Sequence, residues 1–329
     1  MNYFIVGGAG FIGSHLVKTL LVEEKNAHVV IYDNFSSGKM WHLNGFESNL
    51  NLKIINNDIK NQEALQHVMS GIDVVYHFAS NPDISKAVTQ PDIDFWEGTY
   101  LTNNVLEAMR VNGVKKLLYA SGSGIYGDTG SIEVKEDYSP MLPISTYGAS
   151  KLSCEALICS YCHMFDITAS VFRFANVVGP HQTHGVGYDF VRRLMINPCE
   201  LEILGDGTQS KSYIYVTDVI NAIRLLEKAQ ISGFSYYNAA TLDCIAVTEI
   251  ADIVVEIMGL KNVAYKYSGG DRGWKGDVPI ICLNSDKLRS LGWKNQYMTK
   301  DAIYRSVQSI LEDAKSNKFD WYHEGVRND

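Results

Sequence analysis

Tyr147 and Lys151, in the run Tyr147-Gly148-Ala149-Ser150-Lys151, stand four residues apart and so share one face of a helix. A phenol beside an ammonium can take a proton from an alcohol. A free tyrosine has a pKa of about 10, and bringing it near 7 takes about 4 kcal/mol of preferential phenolate stabilisation. Lys151 is one cationic source for that. On spacing alone the pair reads better as an ordinary exposed Tyr and Lys on a helix, so the rest of the chain has to decide.

The second constellation is Gly7-Gly8-Ala9-Gly10-Phe11-Ile12-Gly13, which follows an apolar run and opens a helical pattern. Its glycines permit a tight turn. They also let backbone amides approach a pyrophosphate at a helix N-terminus, which makes Gly7, Gly10, Phe11, Ile12 and Gly13 the candidate cofactor residues. Asp33 lies twenty residues beyond Gly13, where a carboxylate can accept from a ribose diol and would repel a 2'-phosphate. NAD is therefore expected over NADP, and its oxidised nicotinamide would be the second cation beside Tyr147. Asp58 and Ile59 are placed to meet the adenine, and Phe78, Ala79 and Ser80 to border the nicotinamide ribose.

Positioning these residues takes strands that end where they begin. Short β-branched runs at 3–6, 28–32, 52–55, 74–78, 116–119 and 168–174 alternate with helical patterns such as 13–24 and 99–112. Continuous apolar strands alternating with helices imply a doubly wound parallel α/β sheet of the Rossmann class. After Phe174 prolines and glycines break the rhythm into loops and isolated elements, which reads as a smaller, mixed α/β substrate-binding domain. The expected division is 1–176 for the cofactor domain, rejoined by about 213–243. Residues 177–212 and 244–314 form the substrate domain, and 315–329 a polar tail with Phe319, Trp321 and Tyr322. The runs 213–216 and 236–239 are candidates to return to the main sheet.

A length of 329 residues suits about two domains. The net charge of -8 provides no basic field, which argues against nucleic acid as a partner. No run approaches the roughly 20 apolar residues of a membrane span, and the N-terminus lacks a basic leader region, so a soluble cytoplasmic protein is expected. Six cysteines are too few for a disulfide scaffold and fit a reducing compartment. Cys154, Cys159 and Cys162 beside His163 match no zinc spacing, and no metal is expected. His181 and His184 lie in a loop, where a structural role is the commoner case.

The sequence resembles the extended short-chain dehydrogenase/reductase family, within it the nucleotide-sugar epimerases and dehydratases such as UDP-glucose 4-epimerases. The resemblance runs from about residue 2 to about residue 311. Carrying it are residues 7–15, Asp33-Asn34-Phe35-Ser36-Ser37-Gly38, Tyr126-Gly127, Tyr147 with Lys151, 173–180 and Tyr215-Val216-Thr217-Asp218-Val219. It implies NAD held by the glycine loop, Asp33, Asn34, Ser36, Ser37, Gly38 and Ser121, with Tyr147 as base and Lys151 on the nicotinamide ribose. For a nucleoside-diphosphate sugar it implies contacts from Asn176, Arg272 and Lys211, the last at a place where arginine is usual. A lysine there gives charge without the bidentate fork. A homodimer through the helices near 99–112 and around Tyr147 is implied too, although Leu101, Val105, Leu106 and Met109 could equally face the sheet.

Two departures stand out. Members usually carry Ser or Thr four residues before the tyrosine of the Tyr-Gly pair; here that is Gly122, flanked by Ser121 and Ser123. In an extended strand both serines point away from the face of residue 122. Gly122 and Gly124 could bend the chain enough to bring Ser123 into the catalytic and substrate contacts. Phe95 replaces the usual asparagine. Dehydratases usually carry Asp or Glu just after the missing hydroxyl, whereas this chain has Ser123 and Gly124. The resemblance thus implies C4 oxidation of the sugar followed by epimerisation, with a net 4-dehydrogenase as the alternative and surface-polysaccharide synthesis as the setting. A 4,6-dehydratase or a non-catalytic sensor fits less well.

Overall fold

A computed structural model describes residues 1–319 and Trp321; residue 320 and residues 322–329, Tyr322 among them, lie outside the description. In chain order the first elements are β1 (Asn2–Val6), α1 (Phe11–Glu23), β2 (His28–Asp33), β3 (Leu52–Asn56), α2 (Gln62–Val68) and β4 (Val74–His77). Next come α3 (Tyr100–Asn112), β5 (Lys116–Gly122), β6 (Glu133–Val134), α4 (Thr146–Phe165), β7 (Thr168–Phe174), β8 (Asn176–Val178), α5 (Val186–Ile196) and β9 (Glu200–Ile203). Then follow β10 (Ser210–Lys211), β11 (Tyr213–Tyr215), α6 (Val216–Lys228), β12 (Phe234–Ala239), β13 (Ile245–Ala246) and α7 (Val247–Met258). The last are β14 (Ala264–Tyr267), β15 (Ile280–Leu283), α8 (Asp286–Ser290) and α9 (Thr299–Lys315).

Seven strands form one parallel sheet in the order β12-β7-β5-β4-β1-β2-β3. This is the doubly wound Rossmann arrangement expected from the alternating apolar runs. Period-two alternation divides each strand between the two faces: Tyr3 and Ile5 enter one buried cluster, Phe4 and Val6 the other. A third cluster gathers α5, α7 and α9, with Phe190, Val191, Ile250, Val254, Ile303 and Val307 at its centre.

The second half is more regular than its prolines and glycines suggest, since α5, α6, α7 and α9 run for 11, 13, 12 and 17 residues. Their apolar faces are long enough to tolerate the breaks between them. β12 does rejoin the main sheet beside β7, but β11 does not: it pairs with β8, apart from that sheet, and Val216 already opens α6. The cysteine reading needs one correction. Cys244 and Cys282 are joined, their Cα atoms 6.9 Å apart, whereas Cys154 and Cys162 are buried thiols of α4.

Leu101, Val105, Leu106 and Met109 on α3 are all buried under the sheet within this one chain, so they are core and not an interface. Just before α3, Phe95–Thr99 form a π-helical turn, and Phe95 is 52% exposed, packed edge-on against Trp96. At the other end Phe319 and Trp321 stack on each other and against Tyr188 of α5, so this part of the tail is packed.

Candidate active site

The strand ends of β1, β2 and β4 bring the candidate cofactor residues together. Gly7 has φ +78°, and a Cβ there would stand 2.8 Å from the Ala79 nitrogen, so the loop lies directly on the end of β4. A Cβ on Gly13 would overlap the Gly7 carbonyl oxygen, whereas one on Gly10 would meet only that oxygen, at 3.2 Å. That leaves open space in front of the α1 N-terminus. Gly10 caps α1 without any side-chain hydrogen bond, and the first-turn amides of Phe11, Ile12 and Gly13 have no acceptor within the helix. This cradle fits a pyrophosphate.

Asp33 ends β2 with its carboxylate accepting from the Ala9 amide at 2.9 Å and the Phe35 amide at 2.8 Å. Burial raises its pKa and those two bonds oppose the rise. Each carboxylate oxygen keeps further lone-pair capacity for a ribose diol. Gly38 is required beside it, because a Cβ there would stand 2.9 Å from the carboxylate. Asn34 donates to Asp58 at 2.9 Å and accepts from the Ser36 amide, drawing those three around the same edge; Ser37 is half-buried beside them. Ile59 is buried, its carbonyl held by Asn104. Phe78, Ala79 and Ser80 lie half-exposed just past β4.

Helix α4 begins with Ser145 accepting from the Gly148 amide at 3.1 Å. A Cβ on Gly148 would overlap the Gly124 carbonyl oxygen, so the first turn of α4 and the turn after β5 touch backbone to backbone. The Tyr147 ring borders Gly124, 4.0 Å from where a Cβ on Gly124 would be. Lys151 is buried, donates to the Ala120 carbonyl at 2.8 Å and holds its ammonium 5.6 Å from the Tyr147 ring centre. The expected pair is therefore assembled, on the strand end that carries residues 120–124.

Ser121 is turned inward. Its hydroxyl donates to Glu155 at 2.6 Å, and Glu155 is in turn paired with the buried Arg173 at 2.8 Å. The proton of that hydroxyl is thus committed to Glu155. Arg173 also donates to the Tyr126 hydroxyl at 2.9 Å, which donates to Asn238 at 2.7 Å. β5 ends at Gly122, and Ser123–Tyr126 form a 3₁₀ turn, so strand alternation no longer governs Ser123. Ser123 is half-buried, and its hydroxyl has no hydrogen-bond partner among the described residues. Gly122 is extended, with φ -159°, and a Cβ there would meet nothing within 4 Å.

Lys211 and Arg272, sixty-one residues apart, converge on one carboxylate residue. Lys211 pairs with the Asp277 carboxylate at 2.6 Å; Arg272 donates to the Asp277 carbonyl at 2.7 Å and to Asp128 at 2.5 Å. Asn176 lies beside the Lys211 end of this cluster, its side chain donating to the Ser212 carbonyl at 3.4 Å. The spacing of Asp277, Asp128 and Glu155 in the sequence carried no signal of these partnerships. Asp128 directly follows Tyr126-Gly127, Glu155 lies four residues after Lys151 and Asp277 five after Arg272, so each stands near a residue singled out for another reason.

Residues 3–240 match the family described as NAD dependent epimerase/dehydratase. A Methanocaldococcus jannaschii protein provisionally named a UDP-glucose 4-epimerase is 32% identical, covering 92% of this chain and 96% of the relative. A crystal structure of a UDP-galactose 4-epimerase superposes with a TM-score of 0.84 at 35% identity, covering 95% of this chain and 99% of the other. A Bacillus cereus UDP-glucuronic acid 4-epimerase, in complex with UDP-glucuronic acid and NAD, gives 0.86 at 26% identity, covering 95% and 99%. The chain belongs to the NAD dependent epimerase/dehydratase family, and it is a nucleotide-sugar enzyme of extended short-chain dehydrogenase/reductase type whose cofactor is NAD.

Proposed function

We propose that the enzyme is a nucleotide-sugar 4-epimerase. Tyr147 takes the C4 hydroxyl proton, and the open space at Gly122 and Ser123 receives the sugar. Lys151, held by the Ala120 carbonyl, is set to contact the nicotinamide ribose and favour the phenolate. NAD supplies the hydride acceptor at C4. Asn176, Lys211 and Arg272 hold the diphosphate while the 4-keto sugar turns over in the site. The observation that carries this reading is the assembly of Tyr147 and Lys151 at a strand end whose residues 122–124 offer no carboxyl group. Elimination of water would need such an acid, which disfavours a 4,6-dehydratase.

One observation favours a second reading, release of the 4-keto sugar by a net 4-dehydrogenase. Gly122 leaves the reacting oxygen without the usual side-chain hydroxyl and the site roomier. We also read 1–176 with 213–243 as the cofactor domain, 177–212 with 244–314 as the substrate domain, and the enzyme as a cytoplasmic homodimer serving polysaccharide synthesis.

Incubation with NAD and a panel of UDP-, dTDP- and GDP-hexoses tests the reading through NADH absorbance and product mass. An isomer of equal mass is the expected product. A product two hydrogens lighter with accumulating NADH replaces the epimerase by the dehydrogenase, and loss of water refutes both.

A further inference from the structure

Three imidazoles meet beside the glycine loop, from three separate segments. His42 and His181 stack with centroids 4.8 Å apart and planes within 5°, and His15 lies 4.9 Å from His181. His42 bonds to the glycine loop, and His181 and His15 join the start of α1 to the segment after β8. Among the described residues the one acceptor at His42 Nδ1 is the Ala9 carbonyl, at 2.7 Å, so Nδ1 carries the proton and donates. Ser14 spends its hydroxyl proton on the Phe11 carbonyl at 3.0 Å, so at 3.1 Å it accepts from His181 Nδ1. His15 Nε2 donates back to the Pro180 carbonyl at 3.0 Å.

The consequence is a closed clamp around one residue, Ala9. Ala9 is gripped at its nitrogen by Asp33, and at its oxygen by the Lys39 amide and by His42. His181, five residues beyond Asn176, ties the first turn of α1 to the segment after β8. Trp41 closes the outside, packing against His42 at 4.2 Å, His181 at 5.3 Å and Phe319 at 6.1 Å. Burial first, with the nearby His15 and Lys18 adding to it for both rings, lowers the His42 pKa to about 4 and the His181 pKa to about 2, so both rings are neutral single donors at neutral pH.

We propose that His42 and His181 are positioning residues for cofactor retention, fixing the Ala9 carbonyl and the first turn of α1 so that the loop amides stay aimed at the pyrophosphate. This rests on the glycine loop being the NAD site. The test uses the full chain stripped of cofactor, with NAD affinity and release rate measured by titration and rapid mixing for H42F, H181F and H42Q. The phenylalanines keep the stack and lose the donor; the glutamine keeps a donor for Ala9.

H42F and H181F are expected to weaken NAD binding about three- to tenfold, the span of one lost hydrogen bond. H42Q should stay within about twofold of wild type, and cofactor-free melting temperatures should change little. Unchanged NAD affinity in both phenylalanine variants overturns the proposal, as does H42Q binding as weakly as H42F. Lower melting temperatures at unchanged affinity mean a merely structural stack. If H42F does not fold, H181F with H181Q decides by the same comparison. Failure of the wild-type chain to bind NAD would refute the site itself, a separate result.

Discussion

Gly122→Ser should make the enzyme faster. The backbone at Gly122 is extended, an ordinary conformation for serine, and the space a Cβ would enter is empty within 4 Å. No neighbour has to move. A hydroxyl at this position would lie on the face that alternates away from Ser121, toward the reacting sugar oxygen. A hydrogen bond to a developing charge is worth about 1.5–3 kcal/mol. As transition-state stabilisation that is about 10- to 150-fold in rate. Gly122→Ala is the control: it fills the same space without a donor and leaves turnover unchanged. Both variants should be slightly stabilised, by about 0.4–1 kcal/mol, because they restrict the unfolded chain. The assay is kcat on the best nucleotide sugar, alongside thermal unfolding. A folded Gly122→Ser enzyme with unchanged or lower kcat would refute the argument, and it would mean that Ser123 or water already fills the role.

Tyr147→Phe should lower kcat about 10²- to 10⁴-fold, the usual span for a general base, while NAD binding measured by titration is retained; near-normal turnover removes Tyr147 as the base. Asp33→Asn should narrow the preference for NAD over NADP at least about fivefold, since like charges about 4 Å apart cost about 1 kcal/mol even in water. Paired binding titrations decide it, and an unchanged ratio refutes the assigned role. Burial lowers the His42 pKa to about 4 and, with Lys151 nearby, the His77 pKa to about 3. The unfolded chain therefore takes up these protons first as pH falls below about 6.5. Their stabilising contribution is complete above that pH and declines toward pH 4 and 3, by about 1.4 kcal/mol per group per pH unit. Urea unfolding at pH 6.5 and 4.5 should show this loss, and pH-independent stability would refute it.

Local signals fixed much of this molecule. The β-branched runs place six of the seven main strands to within a few residues, because a strand buried on both faces must be apolar throughout. The seventh, β12, was legible only as a run that could return. The glycine loop, Asp33, Tyr147 and Lys151 were readable because their spacing follows from helix and turn geometry. What escaped depends on residues far apart in the chain. The inward turn of Ser121 is decided by Glu155 and Arg173, the convergence of Lys211 and Arg272 by Asp277, and the pairing of β11 by β8. The three-histidine stack draws on residues 15, 42 and 181, and no local pattern announces it. Phe95, which stands where relatives usually carry asparagine, lies on a π-helical turn with half of its surface exposed.

The Gly124–Gly148 contact separates geometry from chemistry. The distance between the phenol and the strand end is set by two bare backbones, with no side chain between them. Residues 122 and 123 can then be exchanged without moving Tyr147, so a lineage can try new reactions one substitution at a time on an unchanged frame. The position closed to that experimentation is Gly148, where a single methyl group would run into the Gly124 carbonyl and push the helix off its seat.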